Sequence, residues 1–413
     1  MTPARSLAEP PRFLASALMG LAQVVIWGGS FFLLTVLADP IHRDTGWSLT
    51  WIYGALTVGV MISGLLSPRA SAYIARGQGR RLLVVSGWIV SAGLLMLAAA
   101  PNFAVFVIGW AVIGVGMAGG LYDPLFATLG TQYGQRARPA IQSVTLIGGF
   151  ATTLTWPILA WMNDAIGWRY TCVAYAIFLA LTIGPMYWKA LPADVADKAD
   201  LAEPARAGAA AVPATASAAS GLSSVDPKLF ALLSLVFSIA AILMTAVSVQ
   251  IVVLLQGTGH STASAIALSA LIGPSMVAVR GLSLALKNLH AIWLTLFSTV
   301  FVALGLLAVS SVPAAAALGL VFYGIGNGLR ALVRGTLPLA LVPASAYAEV
   351  MGRLARSSLF CQALTPLACG FVLTQWGAGA TLWLLAVLAV ANVVLSLALR
   401  RMVRRLQATT ATA

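Results

Sequence analysis

The sequence predicts an all-α integral membrane protein of twelve transmembrane helices arranged as two parallel six-helix halves. Three observations point there. Hydrophobic residues are 60% of the chain and charged ones 8%, too few charges to clothe a soluble body of 413 residues. The apolar residues fall in runs of about 20, the length a helix needs to cross a bilayer, and not in the ~10-residue alternating segments of a barrel. The second half of the chain also echoes the first, motif by motif and in order.

Taken from the N-terminus, spans can be drawn at 13–37, 48–67, 82–100, 103–129, 141–162, 169–188, 228–255, 262–286, 290–310, 314–337, 350–374 and 378–399. The first run is too long for a signal core and lacks a small-residue cleavage site before the next span, so it is expected to stay as the first helix. With both termini on the cytoplasmic side, all of the 24 Lys and Arg except Arg43 and Arg169 fall in cytoplasmic segments or at their edges. That bias sets the orientation expected for a multi-pass protein of the inner (plasma) membrane. Because the basic residues alternate with apolar spans instead of forming one stripe, the net charge of +13 reads as topology, and nucleic acid is not expected as a partner.

Residues 189–227 are rich in Ala, Pro and Ser and poor in large apolar residues, a composition expected of a mobile cytoplasmic linker. It separates an N-terminal bundle, 1–188, from a C-terminal bundle, 228–413. GVG at 114–116 lines up with GIG at 324–326, and GWS at 46–48 with GHS at 259–261. Pro157 lines up with Pro366, and the GW of 167–168 with the WG of 376–377. In order and at nearly constant offset, these matches indicate a parallel duplication.

Twelve spans in two parallel halves, a long central linker and an arginine-rich turn after span two resemble the major facilitator superfamily over essentially the whole chain. The outer turn DTGWS (44–48), the glycine-rich fourth span and GWR (167–169) are similar to bacterial oxalate/formate and monocarboxylate carriers. The superfamily's G-x-x-x-D-R-x-G-x-R signature appears here as SAYIARGQGRR: Ser71 stands for the glycine and Ala75 for the acid, Arg76 and Arg80 match, and Gly79 is one place late. The resemblance implies that spans one, four, seven and ten line a cavity and that four, five, ten and eleven form an inner gate.

Of eleven acids, Asp123 alone falls within a drawn span. An acid at a helix centre costs roughly 2.5–3.5 kcal/mol on insertion scales, which makes it a candidate functional residue. It lies about 30 Å along its helix from Asn102, at the cytoplasmic depth. Arg330 and Arg334 lie similarly deep in span ten. Asp123 therefore reads either as a proton site, as half of a gate ion pair with one of these arginines, or as a structural group that fixes helix packing. Gly335, Thr336 and Pro338 suggest a helix break after Arg334, which favours Arg334 for pairing; one of the two arginines can snorkel to headgroups and the other fork onto a substrate carboxylate. Arg280 reads as a gate or headgroup residue. Gln23 and Trp27 in span one, Tyr122 in span four, Gln250 in span seven, Asn327 in span ten and Gln362 in span eleven are the remaining candidates for substrate binding, each of which interhelical packing would also explain.

No catalytic constellation is present: His42, His260 and His290 stand apart from clustered acids, and Cys172, Cys361 and Cys369 have no metal-ligand spacing. An enzyme is not expected, nor a cofactor or metal. The expected protein is a monomeric secondary transporter that moves a small solute, an organic anion by this reading, across the lipid bilayer, with protons or a second anion as the coupled species. Two alternatives share the fold. One is drug or metalloid efflux, for which Cys361 and Cys369, about 12 Å apart along a helix, would need a third ligand; the other is a membrane receptor or sensor that transports nothing.

Overall fold

A computed structural model describes residues 11–194, 225–285 and 289–411. Most of the linker expected at 189–227 lies outside the described residues, as do Arg5, Glu9, Asp197, Lys198, Asp200, Glu203, Arg206 and Lys287. Among the described residues there is no strand.

The helices are α1 (Phe13–Gly28), α2 (Leu33–Thr45), α3 (Leu49–Ala75), α4 (Gly79–Ala99), α5 (Phe103–Gly120), α6 (Tyr122–Tyr133), α7 (Arg138–Gly148) and α8 (Ala151–Ala190). Beyond the linker come α9 (Pro227–Gly257), α10 (Thr262–Ser269), α11 (Ile272–Ala285), α12 (Ala291–Ser311), α13 (Ala316–Leu341) and α14 (Ala344–Ala411). Among the described residues they fall in nine apolar stretches long enough to cross a membrane. The 88-residue stretch Phe103–Ala190 and the 62-residue stretch Ala344–Arg405 exceed any single crossing. Gly167 breaks the first with φ +76° and Gly377 the second with φ +79°. Thr155 and Tyr175, on opposite sides of Gly167, both pack on Gly28. In one straight helix they would stand about 30 Å apart, so the chain doubles back. With a further turn at Gly134, the nine stretches accommodate the twelve expected crossings.

Several helices outrun the spans drawn from hydropathy. α3 continues to Ala75, α14 begins six residues before 350, and Asp39, Asp44, Asp164 and Glu349 lie on helices and not in loops. Hydropathy marks where lipid begins, whereas the helix ends where its hydrogen bonding ends.

The chain divides into two compact units, Met1–Ser224 with Val342–Arg356, and Val225–Leu341 with Ser357–Ala413. Within each, the glycine-rich helix approaches its neighbours backbone to backbone. A Cβ at Gly116 would stand 2.8 Å from the Ser86 carbonyl of α4, and one at Gly326 2.6 Å from the Ser298 carbonyl of α12. Gly114 meets the Gly59 backbone of α3 as Gly324 meets the Ile272 backbone of α11. Small residues allow this closeness in lipid, where dispersion drives association. The duplicated turns match too: Gly46 and Gly259 both have positive φ, and Ser48 and Ser261 each cap the helix that follows, accepting from Trp51 N–H and Ser264 N–H.

Two clasps tie the ends of the first unit. At one end Asp44 accepts from Trp168 Nε1 at 2.9 Å and pairs with Arg169 Nε at 3.4 Å. Arg169 Nη1 also donates to the carbonyls of Ala98 and Ala100, which end α4. The DTGWS and GWR motifs thus meet. At the other end Asp194, 2% exposed, accepts from the backbone N–H groups of Arg80 and Arg81 at 3.0 and 2.8 Å, satisfying two free donors at the start of α4.

Candidate functional site

The first unit carries two broken helices whose breaks adjoin. α1 ends at Gly28 and α2 resumes at Leu33; Val25 O, which accepts from Gly29 N–H at 3.1 Å, also receives Tyr175 Oη at 2.9 Å, and Ser30 Oγ donates to Ile26 O at 2.6 Å. The span drawn as one helix from 103 to 129 is broken at Leu121, whose extended ψ of −167° separates α5 from α6. Gly120 is the last residue of α5, so its carbonyl is among those a helix end leaves without an intrahelical donor, and Gln23 Nε2 supplies one at 2.9 Å. The same Gln23 amide donates to Tyr187 Oη at 3.0 Å, while its Oε1 accepts from Trp27 Nε1 at 3.1 Å.

The break corrects the expected placement of Asp123. It is partly exposed and occupies the first turn of α6 instead of a helix interior. There the free N–H groups and the positive end of the helix dipole favour a carboxylate. Asp123 is also close enough to Tyr347 to act on it electrostatically. Tyr347, at 0% exposure, lies in the Val342–Arg356 segment of the same unit, its ring laid over Gly130. Tyr122 turns the other way: its ring stacks on Phe126 at 5.4 Å and tilts against Trp27 at 5.4 Å.

The arginine signature divides similarly. Arg76 closes α3, its guanidinium 5.9 Å from the Tyr73 ring centroid. The glycine that turns the chain is Gly77, with φ +85°, and not Gly79, which opens α4 and packs on Thr128. Ser71, standing where the signature has glycine, packs on Gly352.

In the second unit α13 presents Asn327, Arg330 and Arg334. Arg330 Nε donates to Asn327 Oδ1 at 2.8 Å, and Asn327 Nδ2 faces Met276 Sδ of α11 at 3.6 Å. Arg280 of α11 is 7% exposed and donates from Nε to the Gly328 carbonyl at 3.2 Å, so it is buried against α13 and not open to headgroups. Two guanidinium groups thus converge on one stretch, 327–330. The break expected after Arg334 is absent: α13 runs unbroken to Leu341, and Thr336 Oγ1 hydrogen-bonds back to Leu332 O at 2.9 Å within the helix. Pro338 is accommodated because a helix near its end can lose one bond without unwinding. Gln250 Nε2 donates to Pro366 O of α14 at 3.3 Å, and Gln362, one turn before Pro366, is 8% exposed.

Sequence reasoning missed Phe31, Phe32 and Trp156, which join Trp27 and Tyr122 around the paired breaks, and Tyr187, which anchors Gln23. The FF dipeptide toward the end of the first drawn span, four residues beyond Trp27, was the available signal.

Paired broken helices inside a duplicated twelve-crossing bundle define a multi-pass secondary transporter of the membrane. The Major Facilitator Superfamily profile matches residues 19–352, and the chain belongs to that superfamily. The human organic anion transporter MFSD10 (TETRAN) superposes with a TM-score of 0.69 at 17% identity, covering 94% of this chain and all of that one. The proton:xylose symporter XylE, bound to 6-bromo-6-deoxy-D-glucose, gives 0.66 at 14% identity, covering 92% of this chain and 93% of its own. Both are likenesses of fold. In sequence, the chain is 30% identical over 176 residues to the transcription regulatory protein OpdE of Pseudomonas aeruginosa, and the match spans 40% of each.

Proposed function

We propose that the chain carries a small organic anion across the plasma membrane by alternating access, coupled to protons or to exchange of a second anion, as a monomer with both termini cytoplasmic. In this reading 1–188 and 228–413 are the two moving bundles, joined by 189–227. The observation that carries the anion reading is the convergence of Arg280 and Arg330 on the Asn327–Gly328 stretch of α13. A guanidinium is a planar fork of N–H donors whose spacing suits a carboxylate. The likeness in fold to MFSD10, an organic anion transporter, supports the same class.

Asp123 is the group we assign to proton coupling, because a carboxylate at a helix break meets water and low-dielectric surroundings in turn as a site alternates. The opposite charges expected to pair, Asp123 and Arg330 or Arg334, belong to different units. If they pair during the cycle, a charge-swapped double variant recovers activity that either single reversal abolishes.

Uptake by the purified protein in liposomes tests the proposal. Labelled organic anions should enter with saturable kinetics that a pH gradient or a loaded counter-anion accelerates, and Arg330→Gln should reduce entry at least tenfold. Uptake of sugars or cations instead, with anions inert, would remove it. A second reading is favoured by one observation: the relative OpdE is described as a transcription regulatory protein. A chain acting only as a sensor would bind a solute and move none in the same liposomes.

A further inference from the structure

Where the two broken helices of the first unit adjoin, five aromatic rings form a wall. Trp27 lies in the last turn of α1; its ring lies 5.6 Å from Phe31, 5.3 Å from Phe32 and 5.4 Å from Tyr122. Phe31 and Phe32 meet edge to face at 5.6 Å, and Phe32 meets Trp156 of α8 at 6.4 Å, nearly perpendicular. None of the five is sealed. Trp156 is 38% exposed and the others are half-buried, whereas Phe126 behind Tyr122 and Gln23 behind Trp27 are both at 0%. The wall thus has a closed back and an open front.

Its orientation is fixed from behind. The Trp27 indole N–H is already given to Gln23 Oε1, and that amide is held in turn by Gly120 O and Tyr187 Oη. What Trp27 offers forward is therefore a π face and not a donor. Arranged edges and faces at 5–6 Å are the geometry in which one further ring gains by stacking or edge-on contact. A surface lined this way selects on shape and π character.

We propose that this wall receives a planar ring of the solute, and that the carried anion is therefore an aromatic carboxylate and not a short hydrophilic one. The carboxylate half rests on the anion reading of Arg280 and Arg330; the ring half rests on the first unit alone.

The test uses the full chain in nanodiscs of fixed lipid composition and four probes: benzoate, cyclohexanecarboxylate, succinate and benzylamine. Cyclohexanecarboxylate has nearly the bulk of benzoate without its π system. Benzoate is expected to bind at least tenfold more tightly than cyclohexanecarboxylate, as read by thermal stabilisation over a concentration series. Phe31→Leu with Phe32→Leu should erase that ratio while cyclohexanecarboxylate affinity stays within threefold, and Phe31→Tyr with Phe32→Tyr should restore it. Equal affinity for the two carboxylates in the unaltered protein, or a ratio unmoved in the leucine variant, overturns the inference and leaves the anion reading standing. So does tighter binding of succinate. Binding of benzylamine in place of benzoate, or of no carboxylate at all, overturns both.

Discussion

At the scale of single residues, Gln23 shows how a role is assigned by something distant in sequence. The break at Leu121 leaves the Gly120 carbonyl at the end of α5 without a helical donor, and the amide of Gln23, 97 residues away, supplies one. A buried carbonyl with no donor costs about 1–3 kcal/mol. Gln23→Leu is therefore expected to lower thermal stability by that order in a detergent melt. Asp194 makes the second residue-scale case. Its carboxylate satisfies the N–H groups of Arg80 and Arg81, so Asp194→Ala should cost about 0.5–2 kcal/mol, the usual worth of a helix cap, and Asp194→Asn less. From the sequence Gln23 is recognisable as an amide in an apolar run and Asp194 as a loop acid. Which backbone groups they serve depends on long-range packing that no local pattern encodes.

At the scale of helices, the repeated glycines carry the strongest expectation. A methyl group at Gly114 would strike the Gly59 backbone, and one at Gly324 the Ile272 backbone, whereas Gly54 on α3 has nothing within 4 Å of where its Cβ would stand. Gly114→Ala and Gly324→Ala should each destabilise by about 1–3 kcal/mol, while Gly54→Ala should be neutral or slightly stabilising. Comparable melting temperatures for all three would show that the close approach is not needed. The GVG and GIG repeats were legible because glycine in an apolar run has few other uses. Helix breaks were less so. Gly335 and Pro338 suggested one where α13 continues, and Gly119, Gly120 and Pro124 flank one at Leu121 that a run of hydropathy conceals. Proline and glycine permit a break, and tertiary hydrogen bonds decide whether it forms: Gln23 is there to accept the consequence at Gly120, and Thr336 bonds within its own helix.

At the scale of the molecule, the crossings, the duplication and the superfamily follow from apolar run lengths and echoed motifs, which lipid constrains tightly. The aromatic wall does not, because rings from α1, the turn after it, α6 and α8 converge only on folding. Function at this scale turns on Asp123. With the proton assignment proposed above, Asp123→Asn should reach the membrane at normal levels yet lose pH-driven uptake while keeping solute binding; full, pH-responsive uptake in that variant would withdraw the assignment. One backbone feature bears on topology as well. Gly46, Gly167, Gly259 and Gly377 all have φ between 74° and 102°, and each sits between an odd-numbered crossing and the next. By parity they share one face of the bilayer, so that face is stitched by four residues whose handedness must be absent. Replacing any of them with D-alanine by semisynthesis should be harmless where L-alanine is not, and a saturation scan should find chirality penalised at these four points despite the empty space around them.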